Sequence, residues 1–204
     1  MTTLRFTKLA IPIIIFSGLL VGCLQSDYTK LVKSELERGM RHDSLLLGIK
    51  FGDSRNDFYG KCFDLNKQHL VTQGPGSASV QYLLRDSSVH QDATSIRLLF
   101  YPTFDENDLI AQMNMEFSYP AWAPWNQKFQ SDTLKAKTIE LLMQWYGGNQ
   151  FVVASVNNTE VPVKLDGNRR VLVYIKDAKT VAVAIQDILH PYFQHSIQQG
   201  REEL

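Results

Sequence analysis

The sequence predicts an α+β fold in which helices pack on one face of an antiparallel sheet. Apolar residues recur at helical spacing in three segments, and runs with strand character follow the second and the third of them. A helix followed by an antiparallel meander therefore occurs twice, over residues 44–119 and 131–188. This order is typical of α+β domains, so we expect two helix-plus-meander repeats that are joined or closely packed.

Three helices are predicted from periodicity and end signals. The first begins at Asp27, and the second follows Ser54, which can form a capping box with Asp57. The third spans Leu134–Tyr146 and is capped by Asp132. Their apolar faces are formed by Tyr28, Leu31, Val32, Leu36 and Met40; by Phe58, Cys62 and Leu65; and by Leu134, Ile139, Leu142 and Trp145.

Strand-like runs lie between turn signals. Residues 44–51 indicate a short buried strand or extended segment, residues 73–79 form a loop, and Asp166-Gly167 predicts a short hairpin. Seven further runs are predicted as strands: 79–85, 95–103, 109–119, 150–156, 160–165, 170–175 and 181–186. The tail, residues 189–204, has the composition of a polar helix.

Residues 120–130 form a connector rich in proline and tryptophan between the two repeats, which we expect to be ordered. Aromatic side chains cluster there: Tyr119, Trp122, Trp125 and Phe129. They either line a binding surface for a protein, peptide or glycan, since Trp and Tyr dominate interface energetics, or pack the two halves together.

The first 22 residues have the features of a secretory signal peptide. Arg5 and Lys8 make the start basic, and Leu9–Leu20 is an uncharged apolar run. This run is shorter than the roughly 20 apolar residues of a transmembrane helix. An ordinary secretory signal that ends at a coincidental cysteine is the alternative.

The segment Leu20-Val21-Gly22-Cys23 resembles the lipobox of bacterial lipoproteins. The resemblance implies that the Cys23 thiol receives a diacylglycerol, that cleavage occurs before Cys23 and that the new amine is acylated. Two or more acyl chains anchor a protein stably to a membrane. Leu24 in place of Asp favours the outer membrane in the same scheme, and the face of that membrane stays open.

Residues 23–204 leave a mature chain of 182 residues, of which 23–43 form the lipidated N-terminus and the first helix. Loss of Arg5 and Lys8 reduces the 21 basic residues to 19 against 21 acidic ones, a net charge near −2. No basic field is therefore available to attract nucleic acid. Cys62 is the only thiol that remains after lipidation, so an intramolecular disulfide is excluded.

The stretch Leu45–Leu70, with Gly48, Phe51, Gly52 and Ser54 before a helix, resembles the repeat of beta-lactamase-inhibitor-protein-like folds and of small outer-membrane assembly lipoproteins. It is also similar to uncharacterised envelope lipoproteins of Gram-negative bacteria. The resemblance implies protein binding without catalysis. Asp53 replaces the methionine of the family turn, and the second half lacks the glycine turn.

Signatures of catalysis and metal binding are sparse. The five histidines are scattered without HExxH spacing, and neither GxSxG nor SxxK occurs. Cys62 lies on an apolar helix face, which favours a small buried side chain over a nucleophile. No catalytic residue, metal or cofactor is predicted.

The sequence therefore predicts a membrane-anchored envelope lipoprotein that acts as a non-enzymatic protein-binding or adaptor module. Its expected partners are the membrane, through the lipid on Cys23, and another envelope protein. The alternatives are a ligand-binding or enzyme-inhibitor lipoprotein that uses Trp122 and Trp125, and an envelope hydrolase with an unrecognised site.

Overall fold

Eight antiparallel strands form one continuous sheet in the computed structural model, which describes residues 27–85, 95–156 and 159–193. The strands are β1 (Val71–Gln73), β2 (Val80–Leu84), β3 (Ile96–Phe104), β4 (Ile110–Ser118), β5 (Val152–Val156), β6 (Thr159–Asp166), β7 (Arg169–Ile175) and β8 (Thr180–Asp187). The helices are α1 (Asp27–Arg38), α2 (Arg55–Lys67) and α3 (Ser131–Tyr146). The α+β class is confirmed.

The order of strands in the sheet is β1-β2-β3-β4-β8-β7-β6-β5. The last strands of the two meanders, β4 and β8, pair in the middle, with Met115 opposite Val183. The two halves of the chain therefore share one sheet. Strand β1 has only three residues and is not among the strands that the sequence predicts. Its last residue, Gln73, is the first residue of the predicted loop.

One face of the sheet carries the main core beneath α2 and α3. Alternate residues of the central strands point to this face, as the period of two in a strand requires. Phe58 of α2 and Leu134 and Leu142 of α3 pack on it. Burial of each large apolar side chain contributes about 1.5–3 kcal/mol. The buried strand residues are Leu98, Phe100, Met113, Met115, Phe117, Val171, Val173, Val181, Val183 and Ile185.

Helix α1 lies on the opposite face, so the prediction that the helices share one face is wrong for α1. Its Tyr28 and Val32 pack against a second, smaller cluster of buried residues: Ala154, Val161, Val163, Leu172 and Ala184. Val171 and Leu172 are neighbours in β7 and therefore point to different faces. We call these the α2/α3 face and the α1 face.

The inward side of α1 also differs from the expected apolar stripe. Tyr28 is buried and Val32 half-buried, as expected, but the buried carboxylate Glu35 continues this side. Leu36 and Met40 are exposed. A polar partner in the turn between β6 and β7, the Gly167 N–H, is the reason that a glutamate occupies the buried position.

The capping box of α2 is confirmed. The Asp57 N–H donates to the Ser54 hydroxyl at 3.1 Å, and the Ser54 N–H donates to the Asp57 carboxylate at 3.0 Å. Helix α3 begins earlier than expected, at Ser131, with Gln130 at the capping position. Asp132 lies in the first turn, where a negative charge is favourable without being the cap.

Residues 44–51 form a tight loop and not a strand. A single bridge joins Ser44 to Lys50, and the chain reverses through Leu47 and Gly48, whose φ angles are +51° and +80°. Leu45, Leu46 and Ile49 are buried, as the apolar run indicates. A helical turn is present at residues 191–193, and the rest of the predicted tail lies outside the described residues, as do the signal peptide and Cys23.

Candidate functional site

A cavity of about 410 Å³ opens between the loop at 42–47, the end of β2, the end of α3 and the start of β7. Its wall combines polar and apolar surface in nearly equal parts, with an arginine at one side. The lining residues are His42, Ser44, Leu45, Leu46, Leu47, Tyr82, Leu84, Trp145, Tyr146 and Arg169.

Tyr146 holds the loop against α3 at the edge of this cavity. Its hydroxyl donates to the Leu45 carbonyl at 2.5 Å. Burial raises the pKa of the Tyr146 phenol, and the nearby Arg169 offsets only part of that rise. The phenol therefore remains a neutral hydrogen-bond donor over the physiological range.

Arg169 is 4% exposed and is held by contacts around its guanidinium. Its Nη1 donates to the Ser44 carbonyl at 3.0 Å, and the guanidinium carbon lies 4.2 Å from the centroid of the Tyr146 ring. Its Nη2 lies 3.5 Å from a carboxylate oxygen of Asp166. The Nε–H is buried and has no hydrogen-bond partner among the described residues.

Asp166 is shared between two buried cations. Lys164 Nζ lies 2.8 Å from Asp166 Oδ2, closer than the guanidinium of Arg169. Lys164 also donates to the Asn149 carbonyl, and the Asn149 N–H donates to Asp166 at 2.8 Å. Buried charges need such partners because desolvation of an isolated ion is costly. One carboxylate thus serves both Lys164 and Arg169.

A second polar cluster joins α1 to the sheet. The fully buried Arg170 donates to the Tyr28 hydroxyl at 3.0 Å and to the Gln186 side chain at 2.9 Å. Glu35 accepts a hydrogen bond from the Gly167 N–H at 2.9 Å. These contacts fix the helix that follows the predicted lipidation site.

Most of the α1 face of the first meander is only half-covered. We call this surface the open patch and define it by its half-exposed side chains: Leu83, Arg97, Leu99, Tyr101, Thr103, Gln112, Asn114 and Glu116. A shallow depression of about 290 Å³ lies within it, bordered by Leu99, Tyr101 and Glu116 and by the loop between β1 and β2.

Cross-strand hydrogen bonds order the polar side chains of the open patch. Tyr101 donates to Glu116 at 3.3 Å, and Asn114 donates to Thr103 at 3.0 Å. Glu116 also accepts a hydrogen bond from Lys176 at 2.7 Å. The patch therefore presents an ordered surface of aromatic, amide and charged groups.

The four aromatic residues predicted as a possible binding surface are separated by the fold. Tyr119 is buried and packs against Phe129, with ring centroids 4.8 Å apart and the ring planes tilted by 40°. The Trp122 indole packs against the main core and donates to the Ala178 carbonyl at 3.1 Å. Trp125 is 84% exposed and lies apart from the core. The structure does not bring these side chains together into one open surface.

The described residues hold little that indicates catalysis. Burial raises the pKa of the Cys62 thiol to about 11, so a thiolate is scarce at neutral pH. His190 lies 3.0 Å from Asp105 beside the hairpin between β3 and β4. Within the part of the chain that the structure describes, no group of three or more His, Cys, Asp or Glu residues could hold a metal ion.

Neither the cavity nor the open patch was identified from the sequence. Both depend on pairings between distant segments, since the loop at 42–47 meets α3 and β7 only in the folded chain. One local signal existed. Arg169 and Arg170 follow a hairpin turn and open an otherwise apolar strand, where adjacent charges on both faces require buried partners.

Among the helices of residues 27–85, 95–156 and 159–193, none combines the length and the apolar character needed to cross a bilayer. Comparison of the chain with models of protein families, with curated proteins and with solved structures found no match.

Proposed function

We propose that this chain is a lipid-anchored protein of the bacterial cell envelope that binds another envelope protein through its open patch, without catalysing a reaction. The lipobox-like segment ending at Cys23 supports the anchor. The open patch is the observation on which the binding role rests.

The chemistry of the open patch suits a protein partner. Tyrosine and arginine are enriched in protein interfaces, and Tyr101 and Arg97 are both half-exposed here. Because hydrogen bonds already order Tyr101, Asn114 and Glu116, little side-chain entropy is lost on binding. The depression beside Leu99 offers a place for one anchoring side chain of a partner.

The position of α1 supports a binding role close to a membrane surface. Cys23 precedes Asp27 by four residues, so a lipid on Cys23 would hold the start of α1 within about 14 Å of the bilayer surface. Arg170 and Glu35 fix α1 to the same face of the sheet that carries the open patch. A partner embedded in, or attached to, the same membrane is therefore favoured.

We also infer that α2 with β1–β4 and α3 with β5–β8 are two copies of one structural unit. Each has one helix on the α2/α3 face followed by four antiparallel strands. The pairing of the two last strands, β4 and β8, is the arrangement that an internal twofold relation would produce. This supports the expected repeats, with four strands in each.

Site-specific photocrosslinking in intact cells tests the binding role. A photoreactive amino acid at Leu99 lies in the open patch, and one at Tyr59, exposed on α2, lies on the opposite side as a matched control. We expect a protein adduct of one reproducible mass from Leu99 and a different pattern from Tyr59. Absence of an adduct at Leu99, or the same adducts at both positions, would overturn the proposal.

The identified partner then allows a quantitative test. Tyr101→Ala removes an aromatic side chain from the patch, whereas Tyr59→Ala removes an exposed one elsewhere. We expect Tyr101→Ala to weaken binding of the purified partner by about 30-fold, the size of an interface hot spot, and Tyr59→Ala to leave it unchanged. Equal affinities of the two variants would contradict the assignment of the surface.

A further inference from the structure

We propose that the cavity beside Arg169 binds a small amphipathic carboxylate, a molecule with one anionic end and an apolar body. This inference goes beyond protein binding, because the cavity lies on the α2/α3 side of the molecule, away from the open patch.

The apolar part of the cavity wall fits the body of such a molecule. Leu45, Leu46, Leu47, Leu84 and Trp145 contribute hydrocarbon and aromatic surface. Its volume of about 410 Å³ lies within the range of roughly 300–1,000 Å³ that small-molecule sites span. A cavity of this size accepts one small ligand and is too narrow for a folded partner.

Arg169 supplies the anion-binding end. Its guanidinium is already held by the Ser44 carbonyl and the Tyr146 ring, both of which line the cavity, so binding requires little further ordering. Arginine offers five N–H donors and can bind a carboxylate through two parallel hydrogen bonds. Arg169 Nη1 donates to the Ser44 carbonyl at 3.0 Å, whereas the buried Nε–H has no hydrogen-bond partner among the described residues.

The charges around Arg169 leave it able to accept an anion. Its nearest carboxylate, Asp166, is closer to Lys164, at 2.8 Å against 3.5 Å. Asp187 at the end of β8 pairs with Arg41 at 3.1 Å. The two buried cations Lys164 and Arg169 thus share the carboxylate of Asp166.

A matched pair of ligands tests the proposal on the unmodified protein. Decanoate and decanol have the same chain length and differ in charge, and each is titrated by calorimetry. We expect decanoate to bind at one site per chain and at least about tenfold more tightly than decanol, because hydrogen bonds to a charged group contribute that much. Equal affinity, or no binding of decanoate, would overturn the proposal.

A matched pair of variants locates the site. Leu84→Trp fills the cavity, whereas Val153→Trp places the same side chain at an exposed position of β5, outside the cavity and the open patch. Decanoate binding should be lost in Leu84→Trp and retained in Val153→Trp, with circular dichroism showing that both variants fold. Retention of binding in a folded Leu84→Trp variant excludes this cavity. The crosslink at Leu99 should persist in Leu84→Trp, which separates failure of this proposal from failure of the protein-binding proposal.

Discussion

The buried guanidinium of Arg170 donates a hydrogen bond to the hydroxyl of Tyr28 at 3.0 Å, across 142 residues of sequence. Tyr28 is the second residue of α1, and Arg170 lies in β7. This contact fastens the first described turn of the chain to the middle of the second meander.

Replacement Tyr28→Phe tests the strength of this connection. The variant keeps the ring in its apolar cluster but removes one hydrogen bond to a buried charged group, which costs about 1.5–3 kcal/mol. Urea unfolding followed by circular dichroism measures the loss. Tyr192→Phe, at an exposed tyrosine, should change the free energy of unfolding by less than about 0.5 kcal/mol. Similar effects of the two substitutions would count against the contact.

Glu35 provides a second test of the docking of α1. Glu35→Ala leaves the buried Gly167 N–H without its acceptor, so we expect a loss of about 1–3 kcal/mol in the free energy of unfolding. Glu37→Ala removes an exposed carboxylate from the same helix and should cost less than about 0.5 kcal/mol. If Glu37→Ala proves as damaging as Glu35→Ala, the contact with Gly167 does not account for the loss.

Gly167 tests how closely the segment after α1 approaches the hairpin between β6 and β7. A Cβ atom there would clash with the Met40 carbonyl oxygen, and φ is +54°. We expect Gly167→Ala to lower the free energy of unfolding by about 3 kcal/mol or more. Gly76→Ala has a similar φ of +69° but open space around it, so only the backbone cost of about 1–2 kcal/mol applies. Thermal unfolding of both variants should show this order, and equal losses would refute the close approach.

The start of α2 was predictable from sequence because its signal is local. Ser54 and Asp57 cap the helix through contacts only three residues apart. For the loop at 44–51 the sequence predicts a short strand or extended segment, because a short apolar run with three consecutive leucines is typical of a buried strand. The left-handed conformations of Leu47 and Gly48 reverse the chain instead, and periodicity does not encode them.

The location of α1 and both surfaces depended on information that local patterns lack. The alternation of side chains along a strand predicts that Val171 and Leu172 point to opposite faces of the sheet. It does not predict which helix covers each face. The joining of β4 to β8 decides both the common sheet and the open patch. Trp125 is one residue whose exposure could not be predicted from sequence, because it depends on how the connector packs and not on the composition of the connector.

The capping box also predicts a pH effect. Hydrogen bonds from the Ser54 hydroxyl and then the Ser54 N–H lower the pKa of Asp57. A lowered folded-state pKa stabilises the protein above the ordinary pKa, and this stabilisation is lost as the pH falls through the folded value. Ser54→Ala should therefore raise the pKa of Asp57, as followed by NMR of its carboxyl carbon. Ser155→Ala, at an exposed serine in β5, should leave that titration unchanged. An unaltered pKa of Asp57 in Ser54→Ala would be inconsistent with the capping box.

Metabolic labelling with an alkyne analogue of palmitate tests the membrane anchor, on which the proposed function depends. The chain has two cysteines, so Cys23→Ser and Cys62→Ser form a matched pair, and the Cys62 thiol is half-buried on α2. We predict that the wild type and Cys62→Ser carry the label and sediment with membranes, and that Cys23→Ser carries no label and is released. Label on Cys23→Ser, or its continued sedimentation with membranes, would contradict the account.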